Sequence, residues 1–366
     1  MYMQILSIEA FPVRLPRDLD AARGTAGSPT PLKGSGDYRW STAYPVIYSI
    51  HIETALVKVT LSNGMTGWGE AQAPVAPEVA CTIIDRILAP MLVGQEFTTP
   101  EEMWQSMYST MRVRGQTGGF MLDAISGVDI ALWDLAGKIA GKPLCELLSK
   151  SPKARVPAYL SGVPNTDYAS RYRDQGFTQC KLYYDTDWND ILHMIDQLPD
   201  WRVAVDGLWH IDPAMAPSLD DRNALWLEAP LLPEDPIAHG QLARSIRTPI
   251  ALGESYRSCF ELAPFFRENA MQIVQPDLGR SGITEGMRIA AISPAIVPHV
   301  SIALGPQIAA AIHFAAALEN CSLCEFNPRV LEVANRFLVS PLAMDGAAYV
   351  IPQGPGLGIE MSRIAW

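Results

Sequence analysis

Apolar and polar positions alternate through QILSIEAFPVRL and again through VIYSIHIETALVKVTL at residues 46 to 61, the period of strands with one face buried. Ser62-Asn63-Gly64 then supplies turn residues ahead of MTGWGEAQ, which predicts an antiparallel hairpin. From Pro77 to Leu148 the apolar spacing becomes i, i+3, i+4. It predicts one helix near 78 to 89, a second from Pro100 and a third along MLDAISGVDIALWDLAGKIAG. Three helices on a small sheet make a first α+β domain, residues 1–150. Between its first two strands, residues 17–45 are rich in Gly, Pro and Ser and too long for an ordinary connection, which predicts a lid loop.

Beyond Arg155 the pattern changes again, to short apolar strand, loop and amphipathic helix. It repeats through VPAYLSG, QCKLYY, RVAVDG, ALWLEAP, PIALGE, QIVQPD, AIVPH and SLCEF. Near-even spacing of this kind predicts a (β/α) barrel, of the TIM type, rather than an open sheet. A chain of 366 residues suits one barrel plus one smaller domain.

Charge narrows the partners. With 39 acidic against 28 basic residues, a net charge of −11 and no basic run, the chain is expected to bind neither nucleic acid nor an anionic membrane surface. MYMQILSIEAF has no basic region followed by a small-residue cleavage site, and no stretch is long and apolar enough to span a bilayer, so a soluble, cytoplasmic protein is expected. The six cysteines are scattered in apolar surroundings. Cys321 and Cys324 lack a second pair to complete a zinc site, and all six read as reduced core residues.

Catalytic groups of such barrels sit at the C-terminal ends of the strands. Here those ends carry Lys181, Asp206, Glu228, Glu254, Asp277, His299 and Glu325, about 22 to 26 residues apart, one β/α unit each. Any one could be a helix cap or a loop salt bridge, but seven in phase converge on one mouth. Asp206, Glu228 and Glu254 on consecutive strands offer hard oxygen ligands with no Cys or His among them, which suits Mg²⁺, or Mn²⁺, rather than zinc. Asp277 and His299 follow on the next two strands, where the carboxylate can hold one imidazole nitrogen and raise the basicity of the other. His210, four residues after Asp206, could reach the mouth only from its loop.

Together VAVDG, WLEAPLLPED, IALGES, IVQPDLGRSGIT, IVPHVS and CEFNP in the barrel, with GWGEA, SGVDIALWDLAGK and IPQGPGLGIEM outside it, resemble the enolase superfamily, in the mandelate racemase subgroup of the mandelate racemase / muconate lactonizing enzyme family. The resemblance spans most of the chain. It implies a (β/α)7β modified TIM barrel at residues 151–340, capped by the N-terminal α+β domain together with a C-terminal segment, residues 341–366. It also implies that Asp206, Glu228 and Glu254 hold Mg²⁺, that His299 with Asp277 is the acid or base, that Glu325 bonds a substrate oxygen, and that Lys181 contacts a substrate carboxylate. A homo-oligomer is implied as well.

Family members with two bases carry Lys-x-Lys at the end of the second barrel strand, whereas this chain has Lys181-Leu182-Tyr183. The family often has an amide two residues after the first metal ligand; here that position is Leu208. A tyrosine titrates near pH ~10, so as a base Tyr183 needs its pKa lowered by the metal and by Lys181 on the same strand face. Racemisation requires two competent groups, while elimination of water can run on His299 alone or share its steps with Tyr183. The expectation is therefore a Mg²⁺-dependent dehydratase of a hydroxylated carboxylic acid, an acid sugar, working by α-proton abstraction to a metal-stabilised ene-diolate. A racemase, epimerase or cycloisomerase is the alternative, and a non-catalytic binding barrel a remote one. Tyr38, Arg39 and Trp40 at the end of the lid are candidate substrate contacts, with Arg112 and Arg114 behind them.

Overall fold

The computed structural model describes residues 3–16, 33–40, 46–185, 187–301 and 303–362. Most of the expected lid, residues 17–32 and 41–45, lies outside the described residues.

In the N-terminal part, β1 (Ile5–Pro16), β4 (His51–Leu61) and β5 (Thr66–Ala71) form an antiparallel sheet in the order β1-β4-β5. The hairpin between β4 and β5 turns at Ser62–Gly64, where Gly64 takes φ 85. Three helical stretches cover the sheet: Pro77–Ile83, continued by a π-turn at Ile84–Leu88 and by Ala89–Leu92; Pro100–Ser109; and the long helix Gly119–Ala140. The last of these ends at Gly141 in the left-handed region, where a residue without Cβ closes a helix without strain. GWGEA has a packing reason. A Cβ at Gly69 would lie 2.0 Å from the Gly127 carbonyl oxygen, so the glycines let β5 press against the long helix. A separate short hairpin, β2 (Tyr38–Trp40) with β3 (Ile47–Ser49), was not legible in the lid composition.

The barrel strands are β6 (Arg155–Leu160), β7 (Gln179–Tyr183), β8 (Arg202–Asp206), β9 (Leu227–Glu228), β10 (Ile250–Leu252), β11 (Ile273–Val274) and β12 (Cys324–Phe326), all parallel to their neighbours. The expected seventh strand, AIVPH, is reduced to isolated bridges: Ile296 with Val274 and with Cys321, and His299 with Asp277. Pro294 and Pro298 bring no N–H to a ladder, which accounts for the interruption. These bridges and the β6–β12 pair close the ring. Tyr159, Ala204, Trp226, Ala251 and Val297 fill its interior, with Tyr159 and Trp226 edge to face at 5.0 Å. The segment after β8 is a 3₁₀ run, Pro213–Arg222, because Pro217 sits inside it and cannot support an α-helical ladder.

Buried acids join the two parts. Asp129 on the long helix accepts from the backbone N–H groups of Ile283 and Thr284 and from Thr284 Oγ1 at 2.6–2.9 Å. Asp123 takes Arg257 bidentately at 2.9 and 3.1 Å. Asp134 accepts from Trp68 N–H, from Lys138 Nζ and, across the chain, from Leu357 N–H at 2.9 Å. Leu357 follows β13 (Ala348–Val350), which pairs antiparallel with the start of β6, so the C-terminal segment touches barrel and cap in turn. All six cysteines are free. Among the described residues no helix is long and apolar enough to cross a membrane.

Candidate active site

Each strand-end residue is set by the pleat and by the turn that follows it. Lys181 and Tyr183 share a face of β7, two positions apart, and Lys181 Nζ lies 5.4 Å from the centre of the Tyr183 ring. Buried Lys181 meets three carboxylates: Glu228 Oε1 at 2.5 Å, Glu325 Oε1 at 3.2 Å and Asp206 Oδ2 at 3.7 Å. Burial would lower the ammonium pKa, but Glu228 and Glu325 outweigh it and hold the group well above its ordinary value. Lys181 is therefore a fixed positive charge. In Glu325, burial pushes upward and Lys181 and His299 pull harder the other way, to about 2.

His299 donates from Nδ1 to Asp277 Oδ2 at 2.8 Å and points Nε2 at Glu254 Oε2 at 3.1 Å. Asp277 is saturated: Oδ1 accepts from Gly279 N–H at 2.8 Å and Gln307 Nε2 at 2.6 Å, and Oδ2 takes Ser301 Oγ besides the imidazole. The ring orientation follows, with Nδ1–H on the carboxylate and Nε2 facing the mouth. Burial alone would drive the imidazole pKa down; Glu325, Asp277 and Glu254 together raise it from 6.5 to about 10. Its Nε2 is also 3.8 Å from Glu325 Oε2, so His299 and Lys181 face one shared carboxylate.

As a base Tyr183 needs both the metal and Lys181 to lower its pKa, and Lys181 alone does not do so. Burial raises its phenol well above the ordinary value and Lys181 only partly opposes this, so without a metal it stays protonated. Its hydroxyl lies 2.9 Å from Ser161 Oγ, which donates to Glu325 Oε1 at 2.5 Å. Ser161 has one proton and spends it on that carboxylate, so the Tyr183 proton must go to Ser161. The phenol then offers lone pairs, not a proton, to any further partner. Ser161 ends the first barrel strand and escaped the sequence reading because it is not ionisable; the strand end AYLSG was the available signal.

The three acidic candidates for a metal are differently engaged. Glu228 also accepts from Trp226 Nε1 and Gln275 Nε2, Asp206 from Leu208 N–H, and Glu254 from Trp209 Nε1 at 3.1 Å. Leu208 and Trp209 both lie in the left-handed region, at φ 49 and 65, a strained turn that brings the indole over Glu254. Among the described residues no three His, Cys, Asp or Glu side chains form a ready cage. The donor chemistry nonetheless fits a hard cation. Burial, Glu228 and Glu254 hold the Asp206 carboxyl well above its usual range, an excess of negative charge that a divalent cation would relieve.

Other candidates fall elsewhere. The Tyr38 hydroxyl receives Ala76 N–H at 3.0 Å and lies 3.4 Å from Glu53 in the N-terminal part, and Trp40 is exposed on its hairpin. Among the described residues neither side chain hydrogen-bonds to a strand-end residue of the cluster. Exposed His210 stacks on Tyr184, and Arg112 lies over the Tyr108 ring.

Comparison with known proteins gives this geometry a family. Residues 38–149 match the mandelate racemase / muconate lactonizing enzyme N-terminal domain, and residues 166–365 the enolase C-terminal domain-like family. The chain is 32% identical over 342 residues to a D-galactarolactone cycloisomerase of Agrobacterium fabrum, covering 85% of this chain and 89% of that one. It is 29% identical to an arabinonate dehydratase of Saccharolobus solfataricus, covering 89% and 93%. A crystal structure of an enolase superfamily member from Agrobacterium tumefaciens superposes with a TM-score of 0.92 at 29% identity, covering 99% and 98%. With a capped barrel and matches to both halves, the chain belongs to the mandelate racemase / muconate lactonizing enzyme family of the enolase superfamily and is an enzyme of that family.

Proposed function

We propose that the protein is a Mg²⁺-dependent lyase that removes water from a hydroxylated carboxylic acid of the acid-sugar class, leaving an enol that becomes a 2-keto acid. The observation that carries this reading is the asymmetry of the site: one imidazole dyad, and, where a second base would stand, an ion-paired Lys181 and a phenol kept protonated by burial. Racemisation needs a second competent group; elimination does not.

Asp206, Glu228 and Glu254 would hold Mg²⁺, which when bound supplies positive charge against the substrate carboxylate and the charge that develops as the α-proton leaves. Lys181 orients the carboxylate end, itself held in place by Glu325 at 3.2 Å. Glu254, one of the carboxylates that hold the imidazole protonated, would be committed to the cation; His299 Nε2, facing the mouth, would then be free to take the α-proton and return it to the departing β-hydroxyl, while Asp277 holds the ring. Tyr183 accepts a hydrogen bond from a substrate hydroxyl.

A second reading is favoured by the relative that is a D-galactarolactone cycloisomerase. If the β-oxygen belongs to a lactone ring, the same elimination opens the ring with no water lost. The test is incubation with aldonic acids, aldaric acids and their lactones in D₂O, with Mg²⁺ or a chelator, products read by mass spectrometry. Chelator-sensitive loss of one water marks the dehydratase, and lactone opening without loss of water the cycloisomerase, each product carrying one carbon-bound deuterium taken up as the enol becomes the keto acid. His299→Asn is expected to abolish either reaction while Mg²⁺ still binds. Turnover retained in that variant refutes the assignment.

A further inference from the structure

The end of β5 and the residues just after it touch both barrel segments from which the dyad is built. Glu70 is fully buried. Its Oε1 accepts from Leu304 N–H at 2.7 Å and from Thr54 Oγ1 at 2.9 Å, and its Oε2 from Gln307 N–H at 3.3 Å. Gln307 lies in the first turn of helix Pro306–Ala317, and its Nε2 reaches Asp277 Oδ1 at 2.6 Å. Two residues beyond Glu70, Gln72 N–H donates at 2.7 Å to the carbonyl of Gly279, which also receives Ser126 Oγ. Gly279 in turn donates its N–H to Asp277. The segments on either side of the dyad, 277–279 and 304–307, are thus both held from the N-terminal part.

Two details show that the Gln307 amide is placed for its nitrogen. A Cβ at Gly279 would lie 2.6 Å from Gln307 Oε1 and 2.9 Å from its Nε2, so only a residue without a side chain leaves room for the amide. Gln307 Oε1 is buried with no hydrogen-bond partner among the described residues, an arrangement unfavourable by itself and sustained by the bond at the other end of the amide.

We infer that Glu70 is a positioning residue: acting through Gln307 it fixes the Asp277 carboxylate, and through Asp277 the ring of His299. The inference rests on the reading of His299 and Asp277 as the acid–base pair. It makes the N-terminal domain part of the frame of the dyad rather than only a cover over the mouth.

The test uses the full-length protein labelled with ¹⁵N-histidine. The downfield proton of the His299 Nδ1–H···Asp277 bond is assigned by its loss in His299→Asn and Asp277→Asn. In Glu70→Gln, where an amide NH₂ replaces one acceptor oxygen, and in Gln307→Ala, that resonance is expected to broaden or disappear. On an acid the enzyme turns over, kcat should fall about ten- to a hundredfold with KM held within about twofold, the pattern of a misplaced reacting group rather than lost binding. An unchanged resonance and unchanged kcat in the folded variants overturn the inference. If Glu70→Gln does not fold, Gln307→Ala, which leaves Glu70 in place, decides alone. Wild-type turnover in His299→Asn would instead remove the acid–base reading, while the resonance still decides the positioning.

Discussion

Replacing Lys181 by Met should destabilise the metal-free protein and sharpen its response to Mg²⁺. The lysine is the ammonium that faces Glu228, Glu325 and Asp206 together, and all four groups are buried. Removing one partner of a buried ionic cluster costs about 3–5 kcal/mol, because the remaining charges lose their compensation. The lower end applies here, since the Asp206 carboxyl, already held well above its usual range, can take up a proton and remove one charge. An unfolding entropy of about 2.1 cal/mol/K per residue, over a chain this long, makes each kcal/mol worth a little over ~1 °C, so the expected fall in Tm is about 4 °C. At a hundredfold excess over Kd, a ligand adds about 2.7 kcal/mol. Mg²⁺ should therefore return most of the lost Tm in the variant. It should raise the wild type less, where the cation has to displace Lys181 from Glu228. Differential scanning fluorimetry at pH 7, with chelator and across a Mg²⁺ series, measures both shifts. Equal Tm for the two proteins in chelator, or a larger Mg²⁺ response in the wild type, refutes the reasoning.

Tyr183→Phe should raise KM for a hydroxylated acid by about tenfold, the value of one hydrogen bond in a desolvated site, with kcat little changed; a fall of about a hundredfold in kcat at constant KM would mean that the phenol moves a proton in the transition state. The metal-free protein should also lose stability in alkali. The His299 pKa is raised from 6.5 to about 10, so its contribution is complete below the unfolded value and is lost as pH rises through about 10. Thermal melts across that window should slope for the wild type and flatten for His299→Asn; parallel curves would contradict the assignment.

The polar end of each barrel strand was legible because every β/α unit delivers one residue to the same rim, so Lys181, Asp206, Glu228, Glu254, Asp277, His299 and Glu325 announce themselves by phase alone. What phase does not carry is hydrogen-bond polarity. Ser161 belongs to the same rim, yet its role follows only from the 2.5 Å bond to Glu325, which commits its proton. The seventh strand was readable as AIVPH in pattern but not in pairing, because Pro298 withholds a donor that apolar alternation does not record. In SGVDIALWDLAGK the helical period was plain and the function of its acids was not. Asp129 and Asp134 lie on a buried helix, and their partners at Thr284 and Leu357 are too far away in sequence for any local pattern to reveal.

The bond from Leu357 to Asp134 bears on how the molecule is made. Domains generally fold as units during synthesis, the N-terminal one first. Here the buried Asp134 carboxylate takes Trp68 within its own domain but waits for a backbone N–H 223 residues further on. On the ribosome the N-terminal domain therefore emerges early with one carboxylate oxygen still unmatched, and it is finished only when the barrel that separates the two partners has been translated. Its last folding step is timed by the growth of the other domain.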